Sequence, residues 1–250
     1  MHEVKKAMIF AAGLGTRLKP MTDSIPKALV PVGGKPLLWH VINKLKSSGI
    51  EDFVVNVHHF PDAIIKYLNN NDLGVKISVS DESRFLRETG GGIRFAESLL
   101  SAGGIEPFIV HNVDILSDLN IQKFVSAAKP EALSTIVVSE RKTSRYFLFD
   151  SFMRLCGWTN IATGEVKTPY ESIDLMACRK LAFSGIHLMS GDIFKAFEKE
   201  KAGDRFSITD FYIRACADYP IYGYLPDKLK LMDVGKIETV KEAESFLQAL

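Results

Sequence analysis

Six consecutive apolar residues, Ala7-Met8-Ile9-Phe10-Ala11-Ala12, run without interruption into Gly13-Leu14-Gly15-Thr16-Arg17-Leu18. An apolar run stopped by glycine reads as a strand buried on both faces, the habit of parallel sheets covered by helices on each side. Behind it, residues 36–45 repeat apolar side chains at helical spacing, begin with Pro36 and close at Gly49. Segments 52–57, 75–80, 107–112 and 133–138 read as further short strands, with helical patterns at 61–70, about 91–100 and 120–128 between them. This alternation predicts an α/β, Rossmann-like three-layer sandwich with a mostly parallel central sheet.

After residue 140 the texture changes. "RYFLFD" and "MRLCGW" flank Ser151-Phe152 like a hairpin, a polar loop follows, and "LAFSGIHLM" supplies another strand. Helical patterns at 191–200 and 208–217, short strands near 221–225 and 229–233, and an amphipathic helix over about 236–249 complete the chain. With no internal repeat, no linker and no hexapeptide β-helix pattern, residues 1–250 are expected to form a single domain.

Lys+Arg 31 against Asp+Glu 30 leaves a net charge of +1, so there is no broad basic field to neutralise the phosphates of a nucleic acid. The apolar run behind "MHEVKK" is too short for a signal core or a bilayer span. No membrane partner and a cytoplasmic location are therefore expected. Cys156, Cys178 and Cys216 are widely spaced and form no CxxC pair, and they read as reduced, buried filler.

The glycine loop alone leaves three readings open: a dinucleotide cradle, a triphosphate cradle, or an ordinary turn. A dinucleotide fingerprint needs a third glycine where Leu18 stands, and a Walker loop ending in Gly34-Lys35 would need glycine at Leu29. What remains is Gly13 and Gly15, whose backbone can approach a ligand closely, followed by the guanidinium fork of Arg17 and the mobile charge of Lys27. That is chemistry for a polyphosphate.

The full string "GLGTRLKPMTDSIPKALVPVGGKPL" resembles the signature of the sugar-1-phosphate nucleotidyltransferases, G-x-G-T-R-L-x-P-x-T-x-x-x-P-K, at every fixed position. "NVD" at 112–114 resembles the family's N-G-D metal motif, "MDVGKIET" at 232–239 its second metal segment, and "FSGIHLM" its sugar-side strand. "ETGGGI" at 88–93 is most similar to N-acetylmuramate 1-phosphate uridylyltransferases and related mannose-1-phosphate guanylyltransferases. The fold implied is that of the nucleotide-diphospho-sugar transferases, with a nucleotide-binding half over about residues 1–140 and a sugar-binding half over about 141–250.

The resemblance implies transfer of a nucleotidyl group from a nucleoside triphosphate, UTP ahead of GTP, to a sugar 1-phosphate, by a monomer or small homo-oligomer. Guanylyl transfer to mannose or heptose 1-phosphate is the alternative, and a catalytically silent nucleotide-sugar sensor is the alternative of another class. Arg17, Lys27, Asp114 and Asp233 are the implied catalytic set, with Asp114 and Asp233 holding Mg²⁺. Asp114 also ends an apolar run and Asp233 follows "KLKLM", which puts both at strand ends where open α/β sheets bind ligands. Ala12, Gly13, Gly15, Thr16, Thr89 and Gly90 are implied at the nucleotide, and Ser184, Gly185 and Asp210 at the sugar. Asp210 can equally be a helix N-terminal charge, and Glu88 either faces the nucleotide or caps the following helix. Val113 stands where the family has glycine, so its branched side chain is expected either to crowd the nucleotide or to tilt the Asp114 backbone, and no clear Glu-Lys-Pro sugar motif occurs between 155 and 175.

Overall fold

The computed structural model describes residues 4–101 and 106–249; the opening residues 1–3 lie outside them. The first half contains β1 (Lys6–Phe10), a small ribbon of β2 (Pro31–Val32) and β3 (Lys35–Pro36), α1 (Leu37–Lys46), β4 (Asp52–Val57), α2 (Pro61–Asn70), β5 (Lys76–Asp81), α3 (Glu88–Phe95), α4 (Glu97–Leu100), β6 (Phe108–Asn112), β7 (Ile115–Ser117), α5 (Ile121–Ser126) and β8 (Ser134–Ser139). The second half adds β9 (Arg145–Phe149), β10 (Leu155–Asn160), β11 (Glu165–Lys167), β12 (Arg179–Met189), α6 (Ile193–Lys199), α7 (Ile208–Ala215), β13 (Ile221–Tyr224), β14 (Leu231–Asp233) and α8 (Ile237–Gln248).

The main sheet runs β5-β4-β1-β6-β12-β8-β13, with β5, β4, β1 and β6 mutually parallel. β12 enters antiparallel between β6 and β8, and β13 lies parallel to β8. The arm β9-β10-β11 branches from the first residues of β12. This is the mixed, mostly parallel Rossmann-like sheet expected. Successive residues of β1 and β4 feed opposite cores: Ala7, Ile9, Phe53 and Val55 join one hydrophobic cluster with α1, Leu37 and Leu38 included. Met8 and Val54 join the other, with Phe197 of α6 and Phe211 of α7. Burial on both faces is why the run 7–12 carries no polar alternation.

Most elements lie within a residue or two of their expected positions. α3 begins earlier than expected, at Glu88, and tolerates three successive glycines although glycine disfavours helix interiors. Its first turn is fixed from outside, because the Gly90 and Gly91 N–H groups both donate to the Phe206 carbonyl, at 2.9 and 3.2 Å. The cysteines also differ from expectation: Cys216 is buried, but Cys156 and Cys178 are half-buried. Desolvation, first among the causes, pushes the thiols of Cys156 and Cys216 up to about 11 and about 12, which keeps them protonated.

A buried polar chain crosses the second core. The Tyr212 hydroxyl lies 2.9 Å from His187 Nδ1 and 2.8 Å from Ser134 Oγ. Desolvation lowers His187 to about 3, with the nearby His111 acting in the same direction. Desolvation likewise lowers His111 to about 4 against the opposing Asn112 carbonyl and Asp114 charge. Both imidazoles are therefore neutral in the fold, while an unfolded chain protonates them near pH 6.5. Stability is fully present above that pH and is lost as pH falls toward about 4 for His111 and about 3 for His187, at about 1.4 kcal/mol per pH unit for each. Urea unfolding at pH 7 and pH 5 checks this: the unfolding free energy is expected to drop by a few kcal/mol, and a flat profile would mean that these rings accept protons in place.

Candidate active site

The glycine loop leaves the carboxyl end of β1. Gly15 has φ of +65°, and a Cβ there would meet Thr22 Cγ2 at 2.9 Å, so both backbone conformation and packing demand glycine. Thr22 Oγ1 donates to the Gly15 carbonyl at 2.8 Å and locks the turn. Leu18 is buried in the core where a dinucleotide fold would have its third glycine, and this anchors the short turn Thr16–Leu18 while Thr16 and Arg17 stay exposed. Gly13 has no such packing reason: a Cβ there would meet nothing within 4 Å. It borders open space next to the buried Ala12.

Asp114 sits in the turn between β6 and β7, and Asp233 is the last residue of β14. β7 and β14 form a two-stranded antiparallel ribbon that pairs Asp233 with Ile115, and Val234 N donates to the Asp114 carbonyl at 2.8 Å. That ribbon brings two carboxylates from distant parts of the chain side by side. Lys27 Nζ donates to Asp114 Oδ2, with both side chains nearly buried. Arg17 approaches from the loop: its Nη2 and Asp233 Oδ1 both crowd the Gly235 Cα, where a Cβ would meet them at 2.7 and 2.6 Å. Asp233 Oδ1 is buried without a hydrogen-bond partner. Desolvation, followed by the Asp114 charge, raises the Asp233 carboxyl above the usual range, while Lys27, Arg17 and Arg141 oppose the shift.

The two carboxylates of this group fit a divalent cation. Among the described residues no cluster of three or more His, Cys, Asp or Glu side chains forms a closed metal cage. Two adjacent carboxylates, one with an orphaned buried oxygen, suit an ion such as Mg²⁺, which keeps waters and takes substrate phosphates for the rest of its octahedron.

The other expected residues scatter around this centre. Ser184 is buried, with its Oγ 3.4 Å from Ser139 Oγ. Gly185, at φ +75°, packs so closely that a Cβ would meet Asn112 Nδ2 at 2.8 Å and Ile115 Cγ1 at 3.0 Å, which sets the sugar-side strand against the Asp114 turn. Asp210 lies in the first turn of α7, 3.7 Å from Lys167 Nζ and away from the carboxylate pair's own contacts. Thr89 Oγ1 accepts from Ile208 N at 2.9 Å, tying α3 to the start of α7. Glu88, at φ +62°, pairs with Arg205 at 3.0 Å.

Two expectations are corrected. The glycines of "TGGG" were expected to leave backbone groups open to a base. Instead, a Cβ on Gly90 would strike the Phe206 ring, one on Gly91 the Asp204 carbonyl, and one on Gly92 the Glu82 carboxylate. Close packing, together with the N–H groups spent on Phe206, explains these glycines. Val113 was expected to crowd the nucleotide, but its side chain is buried within the hydrophobic core and offers no bulk to the site.

Two residues near the site gave no signal in the sequence reading. Glu82 is buried and links three loops. Its Oε1 accepts from Asn56 Nδ2 at 2.7 Å, Asn56 Oδ1 accepts from Ala11 N at 2.8 Å, and Glu82 Oε2 accepts from Arg87 N at 3.3 Å. Desolvation raises its carboxyl above the usual range against those hydrogen bonds. His58 Nδ1 lies 2.7 Å from the Glu82 carbonyl and belongs to the same support. Arg141, the second, follows β8. By contrast Asp150 and Asp174 do what turn residues do, accepting the N–H groups of Phe152 and Met176 two positions on, while Asp118 accepts from Lys230 N.

Known proteins share this architecture. A family model described as nucleotidyl transferase matches residues 6–249. N-acetylmuramate alpha-1-phosphate uridylyltransferase of Caulobacter vibrioides is 31% identical over 254 residues, covering 97% of each chain. A probable mannose-1-phosphate guanylyltransferase 1 of Oryza sativa subsp. japonica is 35% identical over 138 residues, 54% of this chain and 38% of that one. Among solved structures, HddC from Yersinia pseudotuberculosis complexed with GMP-PN superposes with a TM-score of 0.76 at 21% identity, over 98% of this chain and 100% of that one. UDP-glucose pyrophosphorylase complexed with UDP-glucose gives 0.77 at 20% identity, over 99% of both chains. The two structures share the fold.

Proposed function

This chain belongs to the nucleotidyl transferase family, and from that membership we propose that it transfers a uridylyl group from UTP to a sugar 1-phosphate, releasing pyrophosphate. The observation that carries the reading is the meeting of Asp114 and Asp233 between Lys27 and Arg17, two carboxylates and two cations at one end of the sheet. A sensor that only recognises a nucleotide sugar has no use for that full set.

In the reaction, an oxygen of the acceptor phosphate attacks the α-phosphorus, the bond to the bridging oxygen breaks, and the electron pair leaves with pyrophosphate. The attacking phosphate is already anionic at neutral pH, so no general base is needed. The task is to bring anions together and absorb charge on the leaving group. Arg17 faces the β- and γ-phosphates from the glycine loop, whose open side at Gly13 admits the nucleotide. Lys27 exchanges Asp114 for the α-phosphate and the incoming phosphate. Asp114 and Asp233 would hold Mg²⁺, which would supply neutralisation of phosphate charge. The Asn56-Glu82 chain keeps the end of β1 and the start of α3 at a fixed separation.

Uridine is favoured because the Caulobacter vibrioides uridylyltransferase is similar along the whole chain, and N-acetylmuramate 1-phosphate is the corresponding acceptor. Guanylyl transfer to mannose 1-phosphate is the competing outcome, supported over 54% to 77% of the chain. A panel of nucleoside triphosphates against several sugar 1-phosphates, read by pyrophosphate release, tests both. UTP is expected to lead in kcat/KM, where discrimination between substrates is expressed. A tenfold lead for GTP would replace the uridylyl assignment while leaving nucleotidyl transfer intact, and no release with any pair would remove the activity itself.

A further inference from the structure

The acceptor carries its own phosphate charge into a site whose nearer lysine, Lys27, is already engaged by Asp114. On the sugar side the obvious cation is committed elsewhere. Lys167, in the loose echo of a Glu-Lys-Pro motif, lies 3.6 Å from Glu165, 3.7 Å from Asp210 and 5.3 Å over the Trp158 ring.

Arg141 stands in a different position. The pairing of β12 with β8 shifts register between Phe183 and His187, so Ser184, Gly185 and Ile186 leave that ladder. Gly185 packs there on Asn112 and Ile115, the residues that flank the Asp114 turn. Arg141 Nη2 donates to the Phe183 carbonyl at 3.1 Å, at the start of this bulge. Its neighbour Glu140 is taken by Arg179 at 3.6 Å, and Arg141 itself forms no ion pair among the described residues. Among the described residues the Phe183 carbonyl is the one hydrogen-bond acceptor of its five N–H donors. Its charge also reaches Asp233. An exposed guanidinium, held by one bond between the β12 bulge and a carboxylate pair, lies where the carboxyl ends of the strands bind ligands.

We propose that Arg141 binds the phosphomonoester of the acceptor, its planar fork receiving the phosphate oxygens that Lys27 does not reach. The inference rests on the nucleotidyl-transfer reading and adds the residue that selects a phosphorylated acceptor. A guanidinium matches a tetrahedral phosphate with paired donors, which a lysine cannot do in one geometry.

The test uses Arg141→Ala and Arg141→Gln in the full chain. Glutamine keeps a polar amide donor while removing the charge and the paired fork. Wild-type pyrophosphate release with the acceptor panel comes first, and its absence would overturn the activity rather than the role of Arg141. Given activity, both variants are expected to raise KM for the sugar 1-phosphate by about tenfold or more, the scale of one lost charge-assisted hydrogen bond, with KM for the triphosphate within about twofold. Inorganic phosphate should inhibit the wild type competitively against the acceptor and lose at least about tenfold in potency against Arg141→Gln. Unchanged acceptor KM in Arg141→Gln overturns the inference. So does an equal rise in both KM values, or a fall in kcat alone, since either would assign Arg141 to the triphosphate or to the carboxylate pair.

Discussion

Lys27→Ala is expected to reduce turnover by about 10²–10³, the loss that follows removal of one donor aimed at developing charge, about 2.7–4 kcal/mol. The fold should persist, because Lys27 lies on a short turn whose apolar neighbours Ala28 and Val30 are fully buried and remain in place. The local electrostatics should change in a second, measurable way. With the ammonium gone, Asp114 and Asp233 face each other without their nearest cation. Mg²⁺ should then raise the melting temperature of the variant by more than it raises that of the wild type. Normal turnover would remove Lys27 from the phosphate site. Low turnover with no enhanced Mg²⁺ response would separate its catalytic role from its pairing with Asp114.

Asp114→Asn and Asp233→Asn are each expected to abolish most Mg²⁺-dependent activity, with losses on the scale of two or more orders of magnitude. The double variant should be little worse than the weaker single, because ligands of one ion act as a unit and their effects do not add. Asp233→Asn carries a further signature. Its Oδ1 is buried and unpartnered and its acid form is already favoured by desolvation, so the neutral amide should cost little stability or even raise it. Thermal unfolding without metal checks this directly. Multiplicative losses in the double variant would place the two carboxylates on different ligands.

The part of this site that lies within one continuous stretch was legible in the sequence. Gly13 to Lys27 carries its constraint locally: a turn with one left-handed glycine behind a buried strand, and the two cations Arg17 and Lys27 in the same short stretch. Strand-end placement made Asp114 and Asp233 candidates, but their approach depends on β7, three residues, Ile115 to Ser117, too short to stand out from the run before them. Glu82 was missed because "DESRF" reads as a solvated turn, and nothing in composition shows that one of its charges is buried among Asn56 and the backbone of Arg87. Arg141 was missed for the converse reason, since an exposed polar loop has no periodicity to interrupt. The glycines of α3 misled in yet another way. A residue without a side chain is demanded equally by an approaching ligand and by an approaching phenyl ring, and only the position of Phe206 distinguishes the two.

The β7–β14 ribbon makes the proposed metal site a long-range clasp. Lys230 N reaches Asp118 Oδ1 across 112 residues of sequence at 2.9 Å, and the pairing continues to Asp233 beside Ile115. Closing so large a loop costs conformational entropy that three short residue pairs recover only in part. A cation that binds both carboxylates has affinity for the closed clasp alone, so it draws the equilibrium toward docking of β14 and of α8 behind it. The amide of Val234, bonded to the Asp114 carbonyl, is the hydrogen whose exchange with solvent reports that closure. Slower exchange at Val234 in Mg²⁺ would make a single backbone proton the gauge of how firmly the far end of the chain is fastened to its middle.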